Sequence, residues 1–158
     1  MFALPILRTK VQLEIWRKKQ KVPINFVPTM GGLHQGHQKL IEVAKKPDNG
    51  EQPVVLVSIF INPLQFEADE DFKKYPRDLE KDCLLASKAG ANAIWAPTIE
   101  EIFPEGIDAH FTIKAPKKLT AYLCGAKREG HFDGVSTTVV RLLKLVQPTS
   151  LVLGEKDW

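Results

Sequence analysis

The sequence has no apolar run long enough to cross a bilayer, no Cys-x-x-Cys pair, no internal repeat and no strong excess of one charge. Each absence removes a class of protein. Cys83 and Cys124 are its only cysteines and lie far apart, so neither a disulfide framework nor a zinc knuckle is indicated and both are expected to be buried thiols. A formal net charge of +3 is too small to make nucleic acid the expected partner. The locally basic run Arg17-Lys18-Lys19-Gln20-Lys21 reads as a solvated helix end. The opening MFALPILRTK lacks the basic start, apolar centre and small-residue cleavage site of a signal peptide, so the chain is expected to be cytoplasmic with no membrane partner. Prolines and glycines are scattered rather than gathered into a linker, and 158 residues with an apolar fraction of 44% suit one domain over residues 1–158.

What is present alternates strand-like and helix-like patterns. Thr9 and Gln12 stand at capping-box spacing before Val11, Ile15 and Trp16, predicting a helix from Thr9 to about Gln20. Ile24 to Thr29 is a short apolar run followed by Gly31 and Gly32, after which Leu33, His37, Leu40 and Ala44 share one helical face. Val54 to Ile61 has the continuous β-branched character of a central strand covered on both faces, ended by Asn62-Pro63. DLEKDCLLASKAG predicts a helix with Asp78 as N-cap and Gly90 as its stop, leading into the strand Ala93-Ile94-Trp95. Phe111 to Lys114 is expected to add a strand, Val135 to Val146 a buried helix and Ser150 to Leu153 a last buried strand. The alternation predicts a doubly wound α/β domain with a parallel sheet.

Ligands of such sheets gather at the carboxyl ends of the strands, and three polar clusters fall there: His34 with His37, Asn62 with Gln65, and Lys156 with Asp157. Gly31 and Gly32 would let backbone approach a ligand, and two imidazoles at a helix N-terminus can donate to phosphate oxygens, making an anion cradle. A metal reading of the pair has no obvious third ligand. On spacing alone His37 fits equally a hydrogen-bonded core histidine beside Leu40 and Ala44. Asn62 and Gln65 could bind hydroxyl or carboxylate groups, or cap a turn around Pro63. Lys156 is either a phosphate ligand or a solvent-facing lysine.

The blocks PTMGGLHQGH, SIFINPLQF followed by YPRDLEKD, GHFDGVSTTVVRLLKLVQP and LGEKD run in one order over nearly the whole chain. In these blocks the sequence resembles the N-terminal, nucleotide-binding domain of the pantoate–β-alanine ligases, or pantothenate synthetases. The resemblance implies a Rossmann-like, nucleotidylyltransferase-like fold and a dimer in the cytoplasm. It implies ATP-dependent ligation of pantoate to β-alanine through a pantoyl adenylate, releasing pyrophosphate and AMP, with Mg²⁺ assisting. Carried over by position, Met30, Gly31, Gly32, Leu33, His34, Gln35, Gly36 and His37 would line the ATP site, with His34 and His37 on the phosphates and an acid role for His37. Gly154, Glu155, Lys156 and Asp157 would hold the nucleotide, with Lys156 on its phosphates. Gln65, Asn62 and Arg128 would meet the substrate acid, and Asp82 a metal ion.

Gly32, Glu67 and Trp158 depart mildly from the family pattern. The family's next glutamines, its Ser-Arg phosphate loop and its C-terminal lid domain have no counterpart in the sequence, which ends at GEKDW. The competing expectation is therefore a nucleotide- and pantoate-binding fragment with little or no ligase activity. A different nucleotidyl transferase sharing the histidine signature is disfavoured by the NPLQF and GHFDGVSTTV blocks.

Overall fold

The computed structural model describes residues 4–47, 50–66, 75, 78–109, 111–120, 128 and 130–155. Five strands, β1 (Ile6–Leu7), β2 (Ile24–Thr29), β3 (Val54–Ile59), β4 (Ala93–Trp95) and β5 (Ser150–Leu151), form one sheet in the order β1-β4-β3-β2-β5. Every pairing is parallel. Helices α1 (Lys10–Lys19), α4 (Ile99–Ile102) and α6 (His131–Val146) cover one face, and α2 (Gln35–Ala44) with α3 (Leu79–Ala89) covers the other. A short α5 (Lys117–Thr120) and a 3-10 turn at Pro63–Gln65 complete the described elements.

β3 is central, as its composition predicts: Val55, Leu56 and Val57 are fully buried, because helices lie on both faces and an apolar run needs no polar alternation there. Leu56 packs with Phe26, Trp95 and Val146 on the α6 face, whereas Val55 and Val57 pack with Ile41 and Ala86 on the α2–α3 face. The caps follow the sequence. Thr9 and Gln12 make the reciprocal capping box, Asp78 accepts from Lys81 N–H, and Gly90 ends α3 in the left-handed region at φ +103. The basic run indeed forms the solvated last turn of α1, where cations complement the helix dipole.

Four expectations are corrected. In α1 the inward residue is Leu13, while Val11 and Ile15 point outward at 64% and 51% exposure. α6 starts at His131, four residues before Val135, because Gly130 takes a left-handed turn at φ +75 that launches it earlier. β5 ends at Leu151 and is half-buried, with Leu153 exposed. Phe111 to Lys114 is not a strand. Its backbone is tied to α6 by side chains instead: Ile113 N–H donates to Thr137 Oγ1 at 2.9 Å and Ala115 N–H to Asp133 Oδ1 at 2.8 Å. The buried Arg141 guanidinium adds to that clamp, donating to Ile102 O and Glu105 between the rings of Phe103 and Phe111. Cys83 is half-buried, and burial, then the neighbouring Asp82 charge, pushes its thiol pKa up. Cys124 lies outside the described residues.

Candidate active site

Moving outward from β2 the chain visits β3 and β4, then returns to the other side of β2 as β5, so strand order reverses at the β2–β5 boundary. A crevice opens at such a reversal, beyond the carboxyl ends of the strands. Pro28 helps to open it. Ile24 and Phe26 carbonyls accept from Thr149 and Val152, so the even-numbered backbone groups of β2 face β5, and the missing N–H of Pro28 falls just past the last β2–β5 pair. Pairing stops there, and the loop after β2 begins.

That loop is held from behind. Gly31 and Gly32 have φ +87 and +62, a conformation that glycine adopts without strain. Gly31 N–H donates to Thr29 Oγ1 at 3.2 Å. Gly32 and Leu33 N–H donate to the two oxygens of Asp82 at 2.9 and 2.7 Å. A Cβ at Gly31 would stand 3.0 Å from Asp82 Oδ2 and 3.2 Å from Ile59, so the approach of the carboxylate depends on glycine there. Three successive N–H groups are thus turned inward. These N–H groups are therefore spent within the protein, which leaves the donors to the side chains that follow.

Those side chains are the two imidazoles. His34 caps α2 with its ring: Nδ1 accepts from Gly36 N–H at 3.0 Å. An accepting Nδ1 carries no proton, so the neutral ring presents its N–H at Nε2. Gly36 makes the fold-over possible, since a Cβ there would meet His34 Cε1 at 2.8 Å. The His37 ring lies with its centroid 4.2 Å from that of His34. His34 is exposed and His37 half-buried, whereas the buried residues of α2 are Ile41 and Ala44. His37 is less buried than those two positions, although its Nδ1 is enclosed. It stands in the first turn of α2, beside the crevice.

On the other side of β2, Asn62 and Gln65 follow β3. The amide of Asn62 is 3% exposed and turned inward, so it serves the turn reading. Gln65 is half-buried, its N–H donating to Asn62 O at 3.3 Å. Gly154 is half-buried and Glu155 exposed just after β5, level with the glycine loop because β2 and β5 are neighbours. Met30 is half-buried, Gln35 exposed and Leu33 buried. Arg128 is half-buried before α6, its carbonyl accepting from His131 N–H. Lys156 and Asp157 lie outside the described residues.

Asp82 was expected to meet a metal ion, yet it is 3% exposed and both its oxygens are engaged by the loop. Among the described residues no three His, Cys, Asp or Glu side chains converge on a metal position. A cavity of about 320 Å³ lies alongside, lined by Arg8, Met30, Gly31, Phe60, Asp82 and Thr98 among others. It includes the first part of the loop but neither histidine. No described helix is long and apolar enough to cross a membrane.

A parallel α/β sheet with a glycine loop and paired histidines at its reversal point defines a nucleotidylyltransferase-like domain. Residues 5–158 match the family described as Pantoate-beta-alanine ligase, and the chain belongs to that family. It is 64% identical to a bifunctional pantoate ligase/cytidylate kinase of Prochlorococcus marinus, covering 98% of this chain and 30% of that protein. The corresponding protein of Parasynechococcus marenigrum is 52% identical over 97% of this chain and 30% of its own length. Among solved structures, pantothenate synthetase from Thermus thermophilus superposes with a TM-score of 0.84 at 44% identity, covering 98% of this chain and 53% of that one. Pantoate-beta-alanine ligase from Francisella tularensis, complexed with beta-gamma ATP and beta-alanine, gives a TM-score of 0.84 at 35% identity, covering 94% and 56%. The chain thus spans under a third of the curated relatives and about half of these solved chains.

Proposed function

We propose that this segment carries the ATP- and pantoate-binding site of an enzyme that ligates pantoate to β-alanine. The observation that supports it best is the histidine pair, one ring folded over Gly36 so that its proton sits on Nε2, at the reversal point of the sheet. In the first step a carboxylate oxygen of pantoate bonds to the α-phosphorus of ATP as the bond to pyrophosphate breaks. In the second the neutral amine of β-alanine bonds to the acyl carbon of the adenylate, AMP leaves with the electrons of the C–O bond, and the amine's proton passes to solvent. Two anions must be held together in the first step, so fixed donors on the phosphates and precise placement of the acid do most of the work.

In this reading His34 and His37 donate to phosphate oxygens, and His37 neutralises charge growing on the leaving group. Gly154 and Glu155, with Lys156 and Asp157 after them, hold the nucleotide from the β5 side, and Gln65 holds pantoate from the β3 side. The nearby Arg128 is a candidate for the acid substrate. Asp82 spends both oxygens on loop N–H groups, so in this reading it anchors the loop rather than holding a metal ion. A Mg²⁺ ion entering with ATP would be held by phosphate oxygens and water.

The test is His37→Ala in the full chain. A charge-assisted hydrogen bond to phosphate contributes about 1.5–3 kcal/mol, so ATP affinity or adenylate formation should fall about ten- to a hundredfold. The thermal midpoint should move by only a few degrees, roughly what a half-buried first-turn residue carries. A large loss of stability with unchanged nucleotide titration would return His37 to a packing role.

A further inference from the structure

Helix α6 reaches the turn after β3 at three points, none of them the clamp on residues 111–115 described above. His131, Gly134 and Thr138 are spaced i, i+3 and i+7, which places them on one helical stripe. Thr138 Oγ1 donates to Asn62 Oδ1 at 2.8 Å, and Asn62 Nδ2 donates to Gly134 O at 3.2 Å. Asn62 Oδ1 also accepts from Leu64 N–H at 3.1 Å. His131 Nδ1 lies 3.2 Å from Gln65 O, and since a carbonyl can only accept, the ring nitrogen carries the proton there. Gly134 allows the approach, because a Cβ at that position would stand 2.3 Å from Leu64 O. Thr137, the next residue back, serves the 111–115 clamp instead, so the two adjacent threonines divide their hydroxyls between different segments.

We propose that Thr138 and Gly134 are positioning residues for the acid-substrate pocket, orienting the buried Asn62 amide so that the Pro63–Gln65 turn presents Gln65 at a fixed place. An amide in a buried site can flip unless its oxygen and nitrogen have different partners. Here Thr138 supplies a hydroxyl donor to the oxygen, and Gly134 a carbonyl acceptor to the nitrogen. Flipping Asn62 would set Nδ2 against Leu64 N–H, donor against donor, and release the turn. The Gln65 backbone is also held at both ends, by the backbone carbonyl of Asn62 at its N–H and by His131 at its carbonyl. Thr138 touches no substrate in this arrangement and acts only through Asn62.

The inference rests on Gln65 holding pantoate, so the experiment includes Gln65→Ala. Calorimetric titrations of the full chain with pantoate and, separately, with ATP compare Thr138→Val, Thr138→Ser and Gln65→Ala with the parent. Valine keeps the shape and deletes the hydroxyl, and serine restores it. Thr138→Val should weaken pantoate binding about tenfold while leaving ATP binding within about twofold, and Thr138→Ser should recover pantoate affinity to within about threefold. Amide exchange at Leu64 should accelerate in the valine variant and not in the serine variant. Should Thr138→Val not fold, Thr138→Ala is read in the same way. Unchanged pantoate affinity in Thr138→Val beside a loss in Gln65→Ala would overturn the positioning role alone, as would equal losses for both ligands. Unchanged pantoate affinity in Gln65→Ala would overturn the pocket assignment, and the positioning role with it.

Discussion

The loop after β2 and the turn after β3 leave neighbouring strands at the same edge of the sheet, yet one is anchored by a charge and the other by neutral groups. Asp82 reaches the glycine loop from α3 and takes two N–H groups on one carboxylate. Asn62 holds its own turn to α6 with an amide, a hydroxyl and a backbone carbonyl. A buried carboxylate near a bound anion would repel it; Asp82 is buried, with each oxygen covered by an N–H dipole of the loop. An amide carries no net charge and can sit beside an acid substrate without that cost, but its two ends must be told apart by their partners. The difference shows two ways of securing a loop at a strand end: a buried carboxylate under N–H dipoles, or neutral hydrogen bonds alone.

Asp82→Ala should give the largest effect and would break the comparison most directly. Two N–H groups, one buried and one partly buried, lose a charged acceptor, and stability should fall by about 2–4 kcal/mol with loss of ATP binding. Denaturant titration beside nucleotide titration checks this. Near-normal stability, with a defect only in the Mg²⁺ dependence of turnover, would make Asp82 a metal ligand after all.

Gly36→Ala sharpens the charged-loop side. The added methyl displaces the His34 ring and costs the N-cap about 1 kcal/mol, but alanine favours helix over glycine by about the same amount. Stability should therefore change by less than about 1 kcal/mol while ATP affinity drops about tenfold. An unchanged ATP affinity would show that the folded-over ring is not what meets phosphate.

The smallest effect concerns the other face of α6. Asp133 is held below the usual carboxylate range, first by its hydrogen bond from Lys114, then by that from Ala115 N–H. A depressed folded pKa contributes stability that is complete above the unfolded value, about 3.9, and is lost as pH falls through the lower folded value. Lys114 is 79% exposed, so the contribution should stay below about 1 kcal/mol. Acid melts of Asp133→Asn should lack that limb of the pH profile while ATP and pantoate titrations are unchanged. A loss of pantoate binding would mean that the two faces of α6 are not independent.

Most of this framework was legible because its signals are local. Caps at Thr9, Asp78 and Gly90, the apolar run of β3, and the glycine loop before two histidines all lie within a few residues of what they specify. What stayed hidden depends on distant partners. β1 is two residues long and exists only because β4 pairs with it. Asp82 looks like an ordinary acidic residue in the first turn of a helix, a preference the helix dipole already explains, so nothing near it signals that the loop fifty residues earlier needs it. Asn62 read as either ligand or turn cap, and only the arrival of Gly134 and Thr138 decides which. Phe111 to Lys114 had strand composition, but the bonds that tie this stretch down run from Ile113 N–H and the following Ala115 N–H to the side chains of Thr137 and Asp133, not to a neighbouring strand.

The pairing of β2 with β5 joins residues 125 apart, Asn25 with Ser150, whereas β2 and β3 are joined across a single short helix. Closing a loop over such a span costs more chain entropy than pairing β2 with β3, and until β5 arrives the far edge of β2 has no partner. During synthesis the crevice between β2 and β5 therefore does not exist until Leu151 has left the ribosome. Until then, the far edge of β2 is an open template for any other strand. Pro28, which has no N–H to offer on that side, keeps the end nearest the loop from being extended by the wrong one.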